Sequence, residues 1–141
     1  MSAPSLDGAD PSLNGAAPSL DGAAPSRAEV GAISSAISRD IVRLHAQLYG
    51  RGPTKAKTYV DEDYALCILQ EIFTPEEKTL VQTDHSDQVQ ATRHAFQTAV
   101  EAQFVEAVEA ATGRKVKAFF SQIHIESDSA AELFLFEPQS E

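Results

Sequence analysis

The chain has 141 residues and a formal net charge of −10, because 21 acidic residues outnumber 11 lysines and arginines. This acidic balance argues against general nucleic-acid binding, which needs a broad basic face, and against unaided adhesion to an anionic membrane. The single cysteine excludes an internal disulfide, no apolar run approaches the ~18 residues of a transmembrane helix, and the N-terminus lacks the features of a secretory signal. We therefore expect one cytoplasmic domain that does not enter a membrane.

Residues 1–27 are dominated by a seven-residue repeat. From Pro4 the units read PSLDGAD, PSLNGAA and PSLDGAA, each with one leucine. Proline and glycine in every unit oppose a helix, and one leucine per unit cannot form a core, so we predict a disordered tail. Two interpretations remain open: a linker without a role, or a docking peptide in which three weak sites add avidity. The docking residues would be Leu6, Leu13 and Leu20.

The first helix is predicted from a cap and a periodic apolar face. Ser26 and Glu29 have the spacing of a capping box. Between positions 30 and 48, apolar residues then recur every three or four positions, which is typical of a helix with one buried face. Gly50 is expected to end this helix, because glycine readily takes the left-handed conformation of a C-cap.

A hairpin and a short helix are predicted next. Residues 54–60 alternate in character and residues 64–72 are nearly all apolar, with an acidic turn between them. This pattern favours a β-hairpin. The sequence Thr-Pro-Glu-Glu at residues 74–77 then has an N-cap, a proline in the first turn and a glutamate that completes a capping box. It predicts a short helix that ends near Thr83.

The rest of the chain predicts a long helix and a second hairpin. An apolar stripe runs through residues 84–112, and β-branched and aromatic residues dominate 116–125 and 131–136. The fold class is therefore α+β, in the order α-β-β-α-α-β-β, with a four-stranded antiparallel sheet covered by two long helices and one short helix. Phe119 and Phe120 are adjacent in a strand and point to opposite faces, so both faces are apolar, and we expect a homodimer.

A basic turn follows the first helix in this otherwise acidic chain. One interpretation is structural, because a cation near a helix C-terminus is favoured by about 0.3–1 kcal/mol through the helix dipole. The other is a binding site, because a planar guanidinium and nearby lysines suit a small anion or an acidic protein partner. The candidate binding residues are Arg43, Arg51, Lys55 and Lys57. The residues that would shape the turn are Gly50, Gly52 and Pro53.

The remaining polar residues carry no catalytic or metal-binding signature. His124, Glu126 and Asp128 alternate along one strand, but the run enters a turn and is interpreted as a solvated strand end. Cys67 lies in the most apolar strand, where a buried thiol is unreactive. His45 is expected to be packed or half-exposed. We therefore expect a protein that is not an enzyme and that holds no metal or cofactor.

The order of the motifs is itself informative. The chain contains, in this order, the segments LHAQLYGRGPTKAK, FTPEEKTLV, FQTAVEAQFVEAVEAATGRKV and AFFSQIHIESDSAAELFLFEP. Over residues 30–138 it resembles the MpsC-like family, a bacterial domain of unknown function. The most specific pieces are the turn at 50–53, the helix start at 74–76 and the cap at 112–114. The resemblance implies a soluble accessory subunit of a sodium-translocating, membrane-potential-generating system or of inorganic-carbon uptake, and it supplies no catalytic residues.

These observations predict a tail, residues 1–27, and an MpsC-like domain, residues 28–138. We expect a non-enzymatic adaptor that presents Arg51, Lys55 and Lys57 to an acidic partner such as a membrane transport subunit. The tail would dock elsewhere, on a shell or scaffold protein, since its repeats are similar to the cargo-loading peptides of bacterial encapsulins. The alternative is a regulatory protein that senses a small anion at the Gly-Arg-Gly-Pro turn.

Overall fold

The fold was obtained as a computed structural model, which describes residues 24–139. The predicted tail, as far as residue 23, lies outside the described residues. The α+β class and the predicted order of helices and strands are confirmed. The helices and strands are α1 (Arg27–Tyr49), β1 (Lys55–Val60), β2 (Tyr64–Gln70), α2 (Pro75–Gln82), α3 (Ser86–Thr112), β3 (Val116–His124) and β4 (Ser129–Phe136).

The four strands form one antiparallel sheet in the order β1-β2-β4-β3. The central pairing of β2 with β4 joins the two hairpins, so the edges of the sheet are β1 and β3. Helix α1 packs against β1 and against α3, and α3 packs against β3, so both long helices lie on one face. The largest fully buried apolar side chains of the core are Ile37, Ile41, Leu69, Ile72, Phe104 and Phe134.

Both predicted capping boxes are confirmed. The Ser26 hydroxyl accepts a hydrogen bond from the backbone N–H of Glu29 (3.1 Å), and the Ser26 N–H donates to the Glu29 carboxylate (2.7 Å). Thr74 and Glu77 make the same reciprocal pair at the start of α2 (3.1 and 2.9 Å). Each box satisfies two backbone donors that the first turn of a helix leaves without partners, which is why these helices begin where the sequence indicates.

The second strand ends earlier than predicted, and the reason lies in a distant turn. Strand β2 ends at Gln70, and Glu71 has a positive φ of 58°. The carboxylate of Asp128, in the β3–β4 turn, accepts hydrogen bonds from the backbone N–H groups of Ile72 (2.8 Å) and Phe73 (2.9 Å). The interpretation of Asp128 as part of a solvated strand end is therefore wrong, because its carboxylate holds the bend that leads into α2.

The turn after α1 is tightly packed against the helix. Gly50 is the C-cap with φ 88°, in the left-handed region that favours glycine. Gly52 lies so close to α1 that an added Cβ would stand 2.9 Å from the Val42 carbonyl oxygen. Pro53 is buried. The Gly-Arg-Gly-Pro sequence therefore brings the chain from the end of α1 directly onto the sheet.

Gly52→Ala is expected to lower the free energy of unfolding by about 1–3 kcal/mol, because the backbone must move to relieve the contact with Val42. Urea unfolding monitored by circular dichroism measures the change. Gly31→Ala is the matched control, because its Cβ would meet nothing within 4 Å. Gly31 lies in the second turn of α1, and inside a helix alanine is favoured over glycine by roughly 0.5–1 kcal/mol. Equal effects of the two substitutions would contradict the close approach.

Candidate functional site

The four basic residues of the predicted site do not converge on one point. The Arg51 guanidinium donates a hydrogen bond to the Phe73 carbonyl oxygen, so it ties the turn to the entrance of α2. Arg43 is exposed on α1 and lies 3.4 Å from Asp40. Lys55 and Lys57 are exposed on β1, on the face that α1 does not cover. Anion binding at this turn stays a prediction, and the contact of Arg51 favours a structural role.

The sheet face opposite the helices carries a continuous apolar patch, which we call the open face. Successive side chains of a strand point to opposite faces, and the open face is opposite the buried positions Thr58, Cys67, Glu132 and Ile123 of the four strands. Two of its aromatic rings are conspicuously exposed, at 51% for Tyr59 and 54% for Phe120. The pairing register places one apolar residue of every strand in a single row, Tyr59–Leu66–Leu133–Phe120. The neighbouring members of the patch are Tyr64, Ile68 and Leu135.

Positive charge borders the open face on one side. Lys55 and Lys57 belong to the edge strand β1, and the Lys57 ammonium lies 5.8 Å from the centre of the Tyr59 ring. This distance is within the range of a cation–π contact. An apolar patch with cations along one edge fits a partner that is itself apolar and acidic. The structure therefore unites two of the predicted basic residues with the apolar face, and leaves Arg43 and Arg51 outside it.

A second group of polar side chains is buried between the helices and the sheet. Glu132 in β4 is fully buried, and its Oε2 accepts hydrogen bonds from Gln97 Nε2 (2.7 Å) and, at 3.3 Å, from the Ser121 hydroxyl. His45, 2% exposed, places Nε2 3.4 Å from the same oxygen and stacks on Phe104 with 5.4 Å between ring centres. We call these residues (His45, Gln97, Ser121 and Glu132) the buried acid cluster.

An ion pair adjoins the buried acid cluster. The Arg93 guanidinium donates to both carboxylate oxygens of Glu77 (2.6 and 2.7 Å) and to the Ile72 carbonyl (2.8 Å), and its centre lies 3.7 Å from the Tyr49 ring centre. Burial alone would raise the pKa of Glu77, but hydrogen bonds from Arg93 and from Thr74 lower it below its usual value. Burial raises the pKa of Tyr49 to about 12, so this phenol stays protonated.

A cleft of about 190 Å³ opens between α3 and the edge strand β3. Gln97 and Ser121 of the buried acid cluster line it, together with Arg93 and Phe119, and exposed side chains such as His94 form its rim. Within residues 24–139, no group of three or more His, Cys, Asp or Glu side chains is arranged to hold a metal ion. Burial raises the pKa of the Cys67 thiol to about 12, which keeps it protonated and unreactive.

A comparison with protein families identifies the chain. Residues 29–138, nearly all of the described part, match the family described as "Na+-translocating membrane potential-generating system (MpsC)". The chain belongs to the MpsC family. No curated protein and no solved structure matches the chain. In the part of this MpsC protein that the structure describes, no helix is long and apolar enough to cross a membrane.

Most of the buried polar residues of the MpsC domain were not predicted from the sequence. Phe96 is one of the apolar residues in the stripe expected over residues 84–112, but it is 40% exposed, while Arg93 and Gln97 are buried. A signal for Glu132 was present: the inward positions of β4 otherwise carry apolar residues, so an acid among them indicates a buried polar partner. His45 is packed as predicted, but its neighbour Glu132 was not foreseen.

Proposed function

We propose that this MpsC protein is a non-enzymatic accessory subunit of a membrane ion-translocating or inorganic-carbon transport system, and that it binds a protein partner in the cytoplasm through the open face. The observation that carries the proposal is the exposed apolar row that ends in Tyr59 and Phe120. Contiguous exposed apolar surface with a polar border is typical of protein interaction sites. The family description supports the link to a membrane system.

The chemistry of the open face specifies the partner. Lys55 and Lys57 border the apolar row, so a segment with apolar residues and nearby carboxylates is complementary to it. Screening limits the influence of charges to about 8–10 Å at ordinary salt, so the partner's carboxylates would have to lie close to Lys55 and Lys57. A second copy of this chain would bring another net charge of −10, which opposes self-association. The predicted homodimer would use the same face, so it is the competing hypothesis for what binds there.

The tail and the basic turn enter the proposal separately. The repeats around Leu6, Leu13 and Leu20 are proposed as a docking tail for a shell or scaffold protein, with three weak sites acting together. Small-anion sensing at the Gly-Arg-Gly-Pro turn is the less favoured alternative, because Arg51 already donates to the Phe73 carbonyl. The non-enzymatic assignment is supported by the sequence, which contains no phosphate-binding loop and no nucleophile motif.

A site-specific cross-link tests the proposal. A photoreactive benzoylphenylalanine at position 120 is expected to capture a different protein of the membrane system in native cells. Mass spectrometry of the cross-linked peptide is expected to find apolar and acidic residues at the contact. Lys57→Glu should reduce the yield roughly tenfold, because it replaces attraction by repulsion beside the contact. Lys78→Glu, an exposed lysine on α2, is the matched control and should leave the yield unchanged.

The cross-linked peptide decides between the occupants. If the cross-linked peptide comes from the open face of a second copy of this chain, the occupant of the face is a homodimer partner and the acidic partner is ruled out. A second outcome would overturn the role of the open face. In it, position 120 gives no cross-link, and deletion of residues 2–25 abolishes recovery of a scaffold protein, so that only the tail makes a contact. Equal loss of yield in Lys57→Glu and Lys78→Glu would contradict the local charge complementarity.

A further inference from the structure

The open face and the N-terminal repeats have complementary chemistry. The face carries an exposed apolar row, and Lys55 and Lys57 border it on β1. Each repeat contributes one leucine, and in the first unit Asp7 directly follows Leu6. The third unit repeats this Leu-Asp pair, whereas the second has asparagine in place of the aspartate. A leucine beside a carboxylate is both apolar and acidic, so the chain itself contains a ligand of the class that its open face fits.

The tail joins the folded domain at the end of β1 that carries Tyr59. The short turn after α1 brings β1 back along the helix, and the hydroxyls of Ser38 and Thr58 are hydrogen-bonded at 2.8 Å. Arg27, the first residue of α1, lies eleven positions before Ser38, or about 17 Å along the helix axis. Because Thr58 is adjacent to Tyr59, the tail enters about 17 Å from the level at which the apolar row crosses β1.

The length of the tail allows the first repeat to reach the row. Leu20 is seven positions before Arg27, and Leu6 is 21 positions before it. A chain spans at most about 3.3–3.6 Å per residue, so these segments extend to about 25 Å and about 70 Å. Besides the distance along α1, the path must pass around the sheet to its opposite face. The third unit therefore arrives only when it is nearly fully extended, whereas the first unit arrives without strain.

The charges around Tyr59 determine the orientation of a bound repeat. The β1–β2 turn, residues 61–63, consists of three exposed acidic residues, which repel another aspartate. Lys57 lies on the other side of Tyr59 along β1, on the same face of the sheet. A repeat with Leu6 on the apolar row is therefore favoured when Asp7 points away from the turn, toward Lys57.

We propose that the tail repeats bind the open face of their own chain, with Leu6 on the apolar row and Asp7 beside Lys57, and compete there with the protein partner. This inference rests on the proposed function of the face. A tethered segment acts at an effective concentration in the millimolar range, so a site with a dissociation constant of about 1 mM is roughly half occupied. A shell or scaffold protein that binds the repeats would free the face for the partner.

A nitroxide label next to Leu6 tests the contact in the isolated full-length protein. Ser5→Cys provides the attachment point, because the thiol of Cys67 is buried and stays protonated. In NMR spectra the label should reduce the amide signal of Leu66, in the apolar row, by about half. It should leave the signal of Glu106 unchanged, since this residue is exposed on α3 in the opposite layer.

Two substitutions and one control locate the contact. Leu6→Ser removes the apolar group, and Lys57→Glu replaces attraction by repulsion, so each should reduce the signal loss at Leu66 severalfold. Lys78→Glu, at an exposed position of α2, should leave the signal loss unchanged. Signal loss that persists in Leu6→Ser, or that is spread evenly over the domain, would overturn the proposal.

A mixed sample separates docking within one chain from docking between chains. Spin-labelled chains at natural isotope abundance are mixed with unlabelled chains enriched in nitrogen-15, and the spectrum then reports only contacts between chains. No signal loss at the open face is expected. Signal loss in this sample would assign the face to the tail of a second copy and overturn the intramolecular contact.

Capture of the partner at position 120 measures the competition. Replacing the three leucines of the repeats by serine should raise the cross-link yield about twofold, since the share of free faces rises from about half to all. An unchanged yield would overturn the competition. The label experiment needs no partner, so the two proposals fail separately. Signal loss without a cross-linked partner would refute the proposed function, and a cross-linked partner without signal loss would refute only the docking of the tail.

Discussion

Arg93→Met is expected to lower the free energy of unfolding by about 3–5 kcal/mol, because it leaves the partly buried carboxylate of Glu77 without its cation. The wild-type guanidinium makes two hydrogen bonds to Glu77 and one to the Ile72 carbonyl, and it also stacks on Tyr49. Methionine keeps most of the apolar stem, so the loss reports mainly on the ion pair. Urea unfolding at neutral pH measures it.

A matched arginine provides the control. Arg43→Met removes a guanidinium that is 3.4 Å from Asp40 on the exposed side of α1, with 54% of its side chain accessible. Surface pairs of this kind contribute about 0–1 kcal/mol. The double variant Glu77→Gln/Arg93→Met should recover part of the stability lost by Arg93→Met alone, since no unpaired charge remains. If the double variant were less stable than Arg93→Met by as much as Glu77→Gln alone destabilises the wild type, the two effects would be additive. That result would contradict this account.

The pH dependence gives an independent test of the same pair. The pKa of Glu77 is lowered in the folded protein, so its ionised form contributes stability above its unfolded pKa of about 4.3. That contribution is lost as the pH falls through the folded pKa. Arg93→Met removes the main lowering interaction, so the stability difference from wild type should be largest near neutral pH and should shrink in acid. A difference that stays constant from about pH 7 to about pH 3 would assign the effect to packing.

The fold was predictable from sequence because its signals are local. Capping boxes at Ser26 and Thr74, a glycine after each long helix and alternating apolar strands all act within a few residues. These features fix where each element begins and ends. The apolar character of both sheet faces was also readable, since Phe119 and Phe120 are adjacent in one strand.

The buried polar residues were not predictable in the same way, because their partners are distant in sequence. Arg93 meets Glu77 sixteen residues earlier, and Gln97 meets Glu132 thirty-five residues later. On α3 these polar residues occupy the inward positions, while Phe96 is displaced outward to pack edge-on against the Tyr49 ring at 5.6 Å. The apolar periodicity placed Val89, Phe104 and Val108 correctly on the buried face. It misplaced Phe96, because a hydrophobic pattern ranks a phenylalanine above an arginine whose charge is matched by its partner.

Phe134→Ala is expected to lower the free energy of unfolding by about 3–5 kcal/mol, whereas Phe120→Ala should change it by less than about 0.5 kcal/mol. The two rings belong to neighbouring strands of one sheet but point to opposite faces. Phe134 is fully buried and stacks on Phe119 with 4.8 Å between ring centres, so its removal leaves a cavity. Phe120 is 54% exposed on the open face. Chemical unfolding of the two variants measures the contrast directly.

The Phe120 variant also discriminates between the occupants of the open face. If an acidic partner binds there, the isolated protein is monomeric, and the stability of Phe120→Ala is close to wild type at every protein concentration. If a second copy binds there, the wild-type midpoint rises with protein concentration, because association stabilises the folded state by mass action. Phe120→Ala would then lose both stability and this concentration dependence. A concentration-independent midpoint for both proteins is the result expected of an accessory subunit whose apolar face is reserved for another protein.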